Sequence, residues 1–124
     1  LLNLIKEYEK YERMDEVLRD VFGTFRHLAV DMRNHFEKEE YMAFPMMLDE
    51  SVNKNELTLI IAELENEHGK TEEYISSIEK SSGYYSYRYE DTYLKLIFDK
   101  MRELFTDISE HEGKENGILF PKFM

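Results

Sequence analysis

Two stretches of the chain repeat one set of chemistry-bearing residues. His35, Lys38, Glu39, Phe44 and Pro45 recur at the same offsets as His111, Lys114, Glu115, Phe120 and Pro121. In each copy a His and a Glu stand four residues apart, which puts an imidazole and a carboxylate on one face of a helix. His68 and Glu72 make a third such pair. Imidazole nitrogens and carboxylate oxygens together are ligands for iron, manganese or zinc. The pattern therefore predicts a metal site inside a helical bundle. One His-x-x-x-Glu pair arises by chance in many proteins; two matched copies with a third His between them do not. The chain has no Cys, which excludes thiolate zinc sites, Fe–S ligation and disulfides.

The elements that must position these groups follow from the apolar spacing. Four helices are expected, over about residues 1–13, 16–43, 54–80 and 89–117, with each Phe-Pro ending its helix. Val21, Phe25, Leu28, Met32, His35, Glu39 and Met42 form one stripe. Leu57, Ile61, Leu64, His68, Glu72 and Ile75 form another, and Leu94, Ile97, Met101, Leu104, Ile108, His111, Glu115 and Ile118 a third. Such stripes with short connections predict an all-α, antiparallel up-down-up-down four-helix bundle. The second and fourth helices are then parallel, so both repeats reach one level, and His68 reaches it from the third. A lone buried carboxylate costs several kcal/mol or is forced to protonate. Ionisable residues on three apolar stripes are relieved together if they share a metal. Two Glu residues from facing helices could each bridge two ions, which favours a dinuclear iron centre. The order His-x-x-x-Glu differs from the Glu-x-x-His of ferritin-like di-iron bundles.

With 124 residues this is a single domain, and its net charge of -11 leaves no basic stripe for nucleic acid. No apolar run is long enough to span a membrane, and no signal peptide is visible. No Gly-rich phosphate loop or nucleophile motif supports hydrolase or transferase chemistry. The chain opens at Leu1-Leu2 within an apolar pattern, so a first helix lacking its start is expected. His27 is expected on the flank of its helix. Tyr8 and Tyr11 are expected on the inner stripe of the first helix, and the Tyr84–Tyr93 segment is expected to pack on the bundle end. A metal-free helical interaction domain is the alternative that these residues leave open.

His35 to Glu40 ending in Phe44-Pro45, Glu67-His68 with Glu72, and His111 to Glu115 followed by Ile118-Leu119-Phe120-Pro121 resemble the motifs of hemerythrin-like (HHE cation-binding) domains. The resemblance runs over essentially the whole chain. It is closest to the repair-of-iron-centres family, di-iron proteins linked to Fe–S cluster repair under nitrosative and oxidative stress. Oxygen-carrying hemerythrins have a His where this chain has Glu72 and an Asp where it has Asn116, which points away from a dedicated oxygen carrier. Asp15 aligns with a loop His of the repair family, and a first-helix His would fall upstream of Leu1. The resemblance thus implies a metal set of His35, Glu39, His68, His111 and Glu115, with Glu72 and Asp15 as further candidates. It implies two iron ions with oxo and carboxylate bridges, zinc or manganese being the other options. Oxygen, nitric oxide or damaged iron–sulfur proteins are the implied partners, in the cytoplasm. The alternative function is an oxygen-, nitric oxide- or iron-sensing module of a larger protein.

Overall fold

The computed structural model describes residues 1–124 and contains helices and turns but no strand. Helix α1 spans Leu2–Tyr11, α2 Glu16–Lys38, α3 Phe44–Leu48, α4 Lys54–Ser81 and α5 Thr92–Lys114. Short polar side chains start the three long helices. Asp15 accepts the Leu18 N–H at 3.0 Å, Asn53 accepts those of Asn55 and Glu56 at 2.9 and 3.2 Å, and Asp91 accepts that of Leu94 at 3.0 Å. Each such cap contributes about 1 kcal/mol to its helix. No helix is long and apolar enough to cross a membrane.

The two Phe-Pro pairs do not end their helices. After Lys38 the chain winds through one π-helical turn, Glu39–Ala43, and continues as α3; after Lys114 it does the same over Glu115–Leu119 and finishes as a 3-10 turn, Phe120–Phe123. In both places the Phe N–H reaches back five residues, Phe44 to the Glu39 carbonyl and Phe120 to the Glu115 carbonyl. Each proline then opens the next helical turn, where a missing N–H costs nothing and the fixed φ suits the helix. The motif that reads as a stop is thus a bulge that lets the helix pass a proline.

Burial follows one seam per helix. The larger apolar cluster joins α1, α2, the end of α4 and α5, with Ile5, Leu18, Phe22, Ile78, Leu94 and Ile97 fully enclosed. A smaller cluster of Ala43, Leu57, Ile61, Leu64 and Phe120 closes the opposite end. Between them lies a layer of buried ionisable residues: His35, Glu39, His68, Glu112 and Glu115. The seam of α2 is the expected one through Glu39. In α4 and α5 it shifts by one step, because Thr71 and Phe105 are buried where Glu72 and Leu104 are exposed. Phe105 packs against Phe25 with ring centroids 6.1 Å apart, and that larger contact sets the rotation of α5.

The turn from α4 to α5 takes the backbone through positive φ at Gly83, Tyr84, Tyr85 and Arg88. Only the glycine adopts this without steric cost; the others store of order 1 kcal/mol or more each. Side chains hold them there. Arg88 binds Asp15 at 2.7 Å and the Arg13 carbonyl at 3.0 Å, and Tyr87 also donates to Asp15. Tyr8 donates to Asp91 at 2.6 Å, so α1 is tied to the start of α5. Tyr8 is buried as expected, whereas Tyr11 is exposed. His27 is exposed.

Phe22 is fully buried edge-on to Tyr8, ring centroids 6.0 Å apart. Phe22→Ala should destabilise the fold by about 3–5 kcal/mol, read as a lower midpoint in urea unfolding, since the cavity has rigid neighbours on several helices.

Candidate metal centre

His35 and Glu39 come from the last turn of α2 and the π turn after it, His68 from the middle of α4, and Glu115 from the π turn after α5. One ligand atom from each of these residues lies within 4.8 Å of every other, and all four side chains are buried. The His35 and His68 Nε2 atoms are 3.2 Å apart. Glu39 Oε1 stands 2.6 Å from the first and Glu115 Oε1 3.0 Å from the second.

The outer nitrogens of both rings face acceptors. The His68 Nδ1–H donates to Asn116 Oδ1 at 2.9 Å, and His35 Nδ1 faces Glu67 Oε2 at 3.6 Å. Glu67 is held in turn by Lys38, 3.0 Å from its other oxygen. With a proton on each Nδ1, both Nε2 lone pairs point inward, the tautomer that metal-bound histidines take when an outer acceptor orients the ring. Phe120 stacks on His68 at 5.9 Å and 12°, fixing the ring plane from the apolar side.

The interior of the cluster then holds only acceptors. Glu39 Oε1 and both Glu115 oxygens are buried without an aligned hydrogen-bond donor. Unpaired buried carboxylates are expensive unless a cation or proton neutralises them. The donor set, two imidazoles and two carboxylates with no sulfur, fits iron, manganese or zinc.

His111 lies at the rim. Its side chain is 52% exposed, yet its Nε2 is 3.5 Å from Glu115 Oε2 and 3.8 Å from Glu39 Oε2. Each carboxylate therefore shows its Oε1 to the buried histidine pair and its Oε2 to His111. The α5 seam runs through Glu112 instead of His111, which corrects the stripe read from sequence.

Two further candidates are placed elsewhere. Asp15 caps the start of α2 and binds Arg88 and Tyr87; it lies 20 residues before His35, about 30 Å along the helix. Its carboxylate cannot reach the cluster and serves the loop instead. Glu72 is exposed, accepts from Ser109 Oγ at 2.9 Å and stays outside the four-residue cluster. Sequence reasoning passed over Glu67, Glu112 and the orienting role of Asn116. The signal for Glu112 was its place three before Glu115 and four after Ile108, an equally regular helical seam.

Protonation in the metal-free protein reflects the crowding. Burial pushes His35 down, but the Glu115 and Glu39 carboxylates outweigh it and raise the imidazole to about 10. Burial raises Glu39, while Glu115 falls well below the usual carboxylate range because His35 and His68 overcome its burial. Glu112 is raised to about 7 by burial, with the Glu72 carboxylate adding to the shift and His68 opposing it.

Compared with known proteins, the chain matches the family model of the hemerythrin HHE cation binding domain over residues 1–123. No curated protein and no solved structure matches it.

The raised His35 and Glu112 values set a pH dependence. Protons bound more tightly in the fold than in the unfolded chain stabilise it, and that stabilisation is lost as they leave. The His35 part is complete below 6.5 and disappears as pH rises toward about 10. The Glu112 part goes between 4.5 and about 7. Thermal unfolding of chelator-treated protein should therefore show a melting temperature that falls steadily as pH rises through this range. A metal-free melting temperature that rises with pH over this range would contradict the arrangement.

Proposed function

The chain belongs to the hemerythrin HHE cation binding domain family, and on that premise we propose that it is a non-haem di-iron protein. The observation that carries the reading is the division of the two carboxylates. Glu39 and Glu115 each turn one oxygen toward His35 and His68 and the other toward His111. An inner ion would be held by His35, His68 and the two Oε1 atoms. An outer ion would be held by His111 and the two Oε2 atoms, with both Glu residues as bridges. Zinc and manganese fit the same atoms less distinctively. Bound iron would supply redox chemistry and open positions for a small ligand such as oxygen or nitric oxide.

The protein's own groups support that chemistry. Asn116 fixes the His68 tautomer, Glu67 places its charge 3.6 Å from the outer nitrogen of His35, Lys38 pins Glu67, and Phe120 covers His68 from the apolar side. The inner residues are closed off, whereas His111 is open to solvent beside Phe36, 6.2 Å between ring centroids. Exchange at the outer position is therefore sterically free. Asn116, which stands where oxygen carriers have an Asp, is engaged by His68. The resemblance then favours a cytoplasmic role in repairing iron–sulfur centres or answering nitric oxide and oxidative stress. A sensing module of a larger protein is the second reading, favoured by the exposed outer histidine. Reversible oxygen binding without net oxidation supports the second; iron transfer to a cluster-free Fe–S protein supports the first.

Metal analysis with an optical spectrum tests the centre. Protein purified without chelators should hold about two irons per chain, the number the paired bridging carboxylates accommodate. His111→Ala should lower this to about one while leaving the helical signal intact, because the inner ligands stay in place. Protein without metal, with a melting temperature unchanged by chelation, would overturn the di-iron reading.

A further inference from the structure

Outside the ligand set, Glu112 is the remaining buried carboxylic acid. It is 4% exposed, and its Oε1 has no hydrogen-bond partner. It sits on the buried seam of α5, where an apolar side chain would pack without desolvating a carboxyl group. It stands one helical turn after Ser109, whose hydroxyl binds the Glu72 carboxylate of α4, and one turn before Glu115, so it lies between the two on one face. Glu72 is exposed and takes a hydrogen bond from Ser109 at 2.9 Å. Both Glu72 and Ser109 line a cleft of about 550 Å³ between α4 and α5, which Glu79, Glu110 and Arg102 also border. Three carboxylates face one guanidinium there, and Arg102 is stacked over Tyr85 at 5.2 Å. A cleft lined mainly by one sign of charge concentrates ions of the other sign. The carboxylates thus run in series from open cleft to buried ligand cluster.

We propose that Glu72 and Glu112 form a loading site for a divalent cation, through which ferrous iron passes from the cleft to the His/Glu cluster. The inference rests on the iron reading above. Glu72 collects the cation in the cleft. Glu112, with a free oxygen and no fixed donor, takes it from Glu72 and releases it toward His68. No electron or proton donor is required for this transfer. The route follows the α4–α5 cleft, which His111 does not line, so metal entry and small-ligand exchange use separate approaches.

The test is the rate at which metal-free protein takes up ferrous iron without oxygen, followed by competition with a coloured chelator. Glu72→Gln and Glu112→Gln should each slow uptake by about tenfold or more, with the final iron content unchanged. Uptake by the unaltered protein should also slow as salt rises, because the cleft field is screened over about 10 Å at 0.1 M ionic strength. Circular dichroism of both variants establishes that the bundle is intact. Unchanged uptake rates in both variants would overturn the route while leaving the iron reading standing. Loss of bound iron at saturation would also overturn it, by making these residues permanent ligands. Failure of the unaltered protein to take up iron would overturn the iron reading itself and this route with it.

Discussion

The interior of this bundle must neutralise carboxylates that it has removed from water. Glu39 and Glu115 lie in a layer between two apolar clusters, and the side chains around them offer lone pairs more readily than protons. Most of what surrounds that layer answers this constraint. The larger apolar cluster supplies the folding free energy and does not depend on the layer's protonation. The smaller cluster, with Phe120 across His68, keeps water from relieving the charges. Asn116 accepts the outer ring proton of His68, and the Glu67 carboxylate stands 3.6 Å from the outer nitrogen of His35, which favours leaving the inward nitrogens free to ligate. A metal-free bundle must hold protons where a cation would sit, and so the raised His35 belongs to the same balance as the lowered Glu115.

The two ends of the molecule divide the labour. At the end where α2 and α5 begin, Asp15 and Asp91 cap helices and anchor a strained turn through Arg88, Tyr87 and Tyr8. Nothing there meets the His/Glu cluster. At the other end, where α2 and α5 finish, backbone irregularity is concentrated in two π turns that begin at Glu39 and Glu115. Rigidity at one end lets the far ends of α2 and α5 bring His35, Glu39 and Glu115 against His68 of α4 in one small volume.

Much of this was legible from residue spacing. The repeated His-x-x-x-Glu, the central His68 and the α2 stripe sufficed for an all-helical bundle with a polar core. Reading the seams of α4 and α5 was harder, because spacings of three and four residues can be joined in two ways through the same helix. Met101 to Leu104 and Met101 to Phe105 are equally regular, and only the partner across the bundle, Phe25, chooses the second. That choice moves His111 to the rim and Glu112 inside. The same ambiguity buries Thr71 in place of Glu72. Asp15 shows a different limit: a carboxylate at a helix start is as good a cap as it is a ligand, and alignment to a motif cannot weigh the two. Proline as a stop signal failed because the bulge before it depends on where one N–H finds a carbonyl, which composition does not encode.

The matched π turns also carry a consequence for how this chain can change over time. A π turn amounts to one residue inserted into an otherwise regular α-helix. Removing one residue between Glu115 and Phe120 would restore regular winding with Phe120 close to its present phase over the His68 ring, whereas adding one there would rotate everything beyond it by about 100°. The same holds between Glu39 and Ala43, which seals the smaller apolar cluster. Point substitutions in these turns can be absorbed side chain by side chain, but a single-codon insertion puts the lid of the site out of phase with its floor. Added length among descendants of this chain is therefore expected in the segments between helices and not in these two short stretches, even though all of them lie outside the regular α-helices.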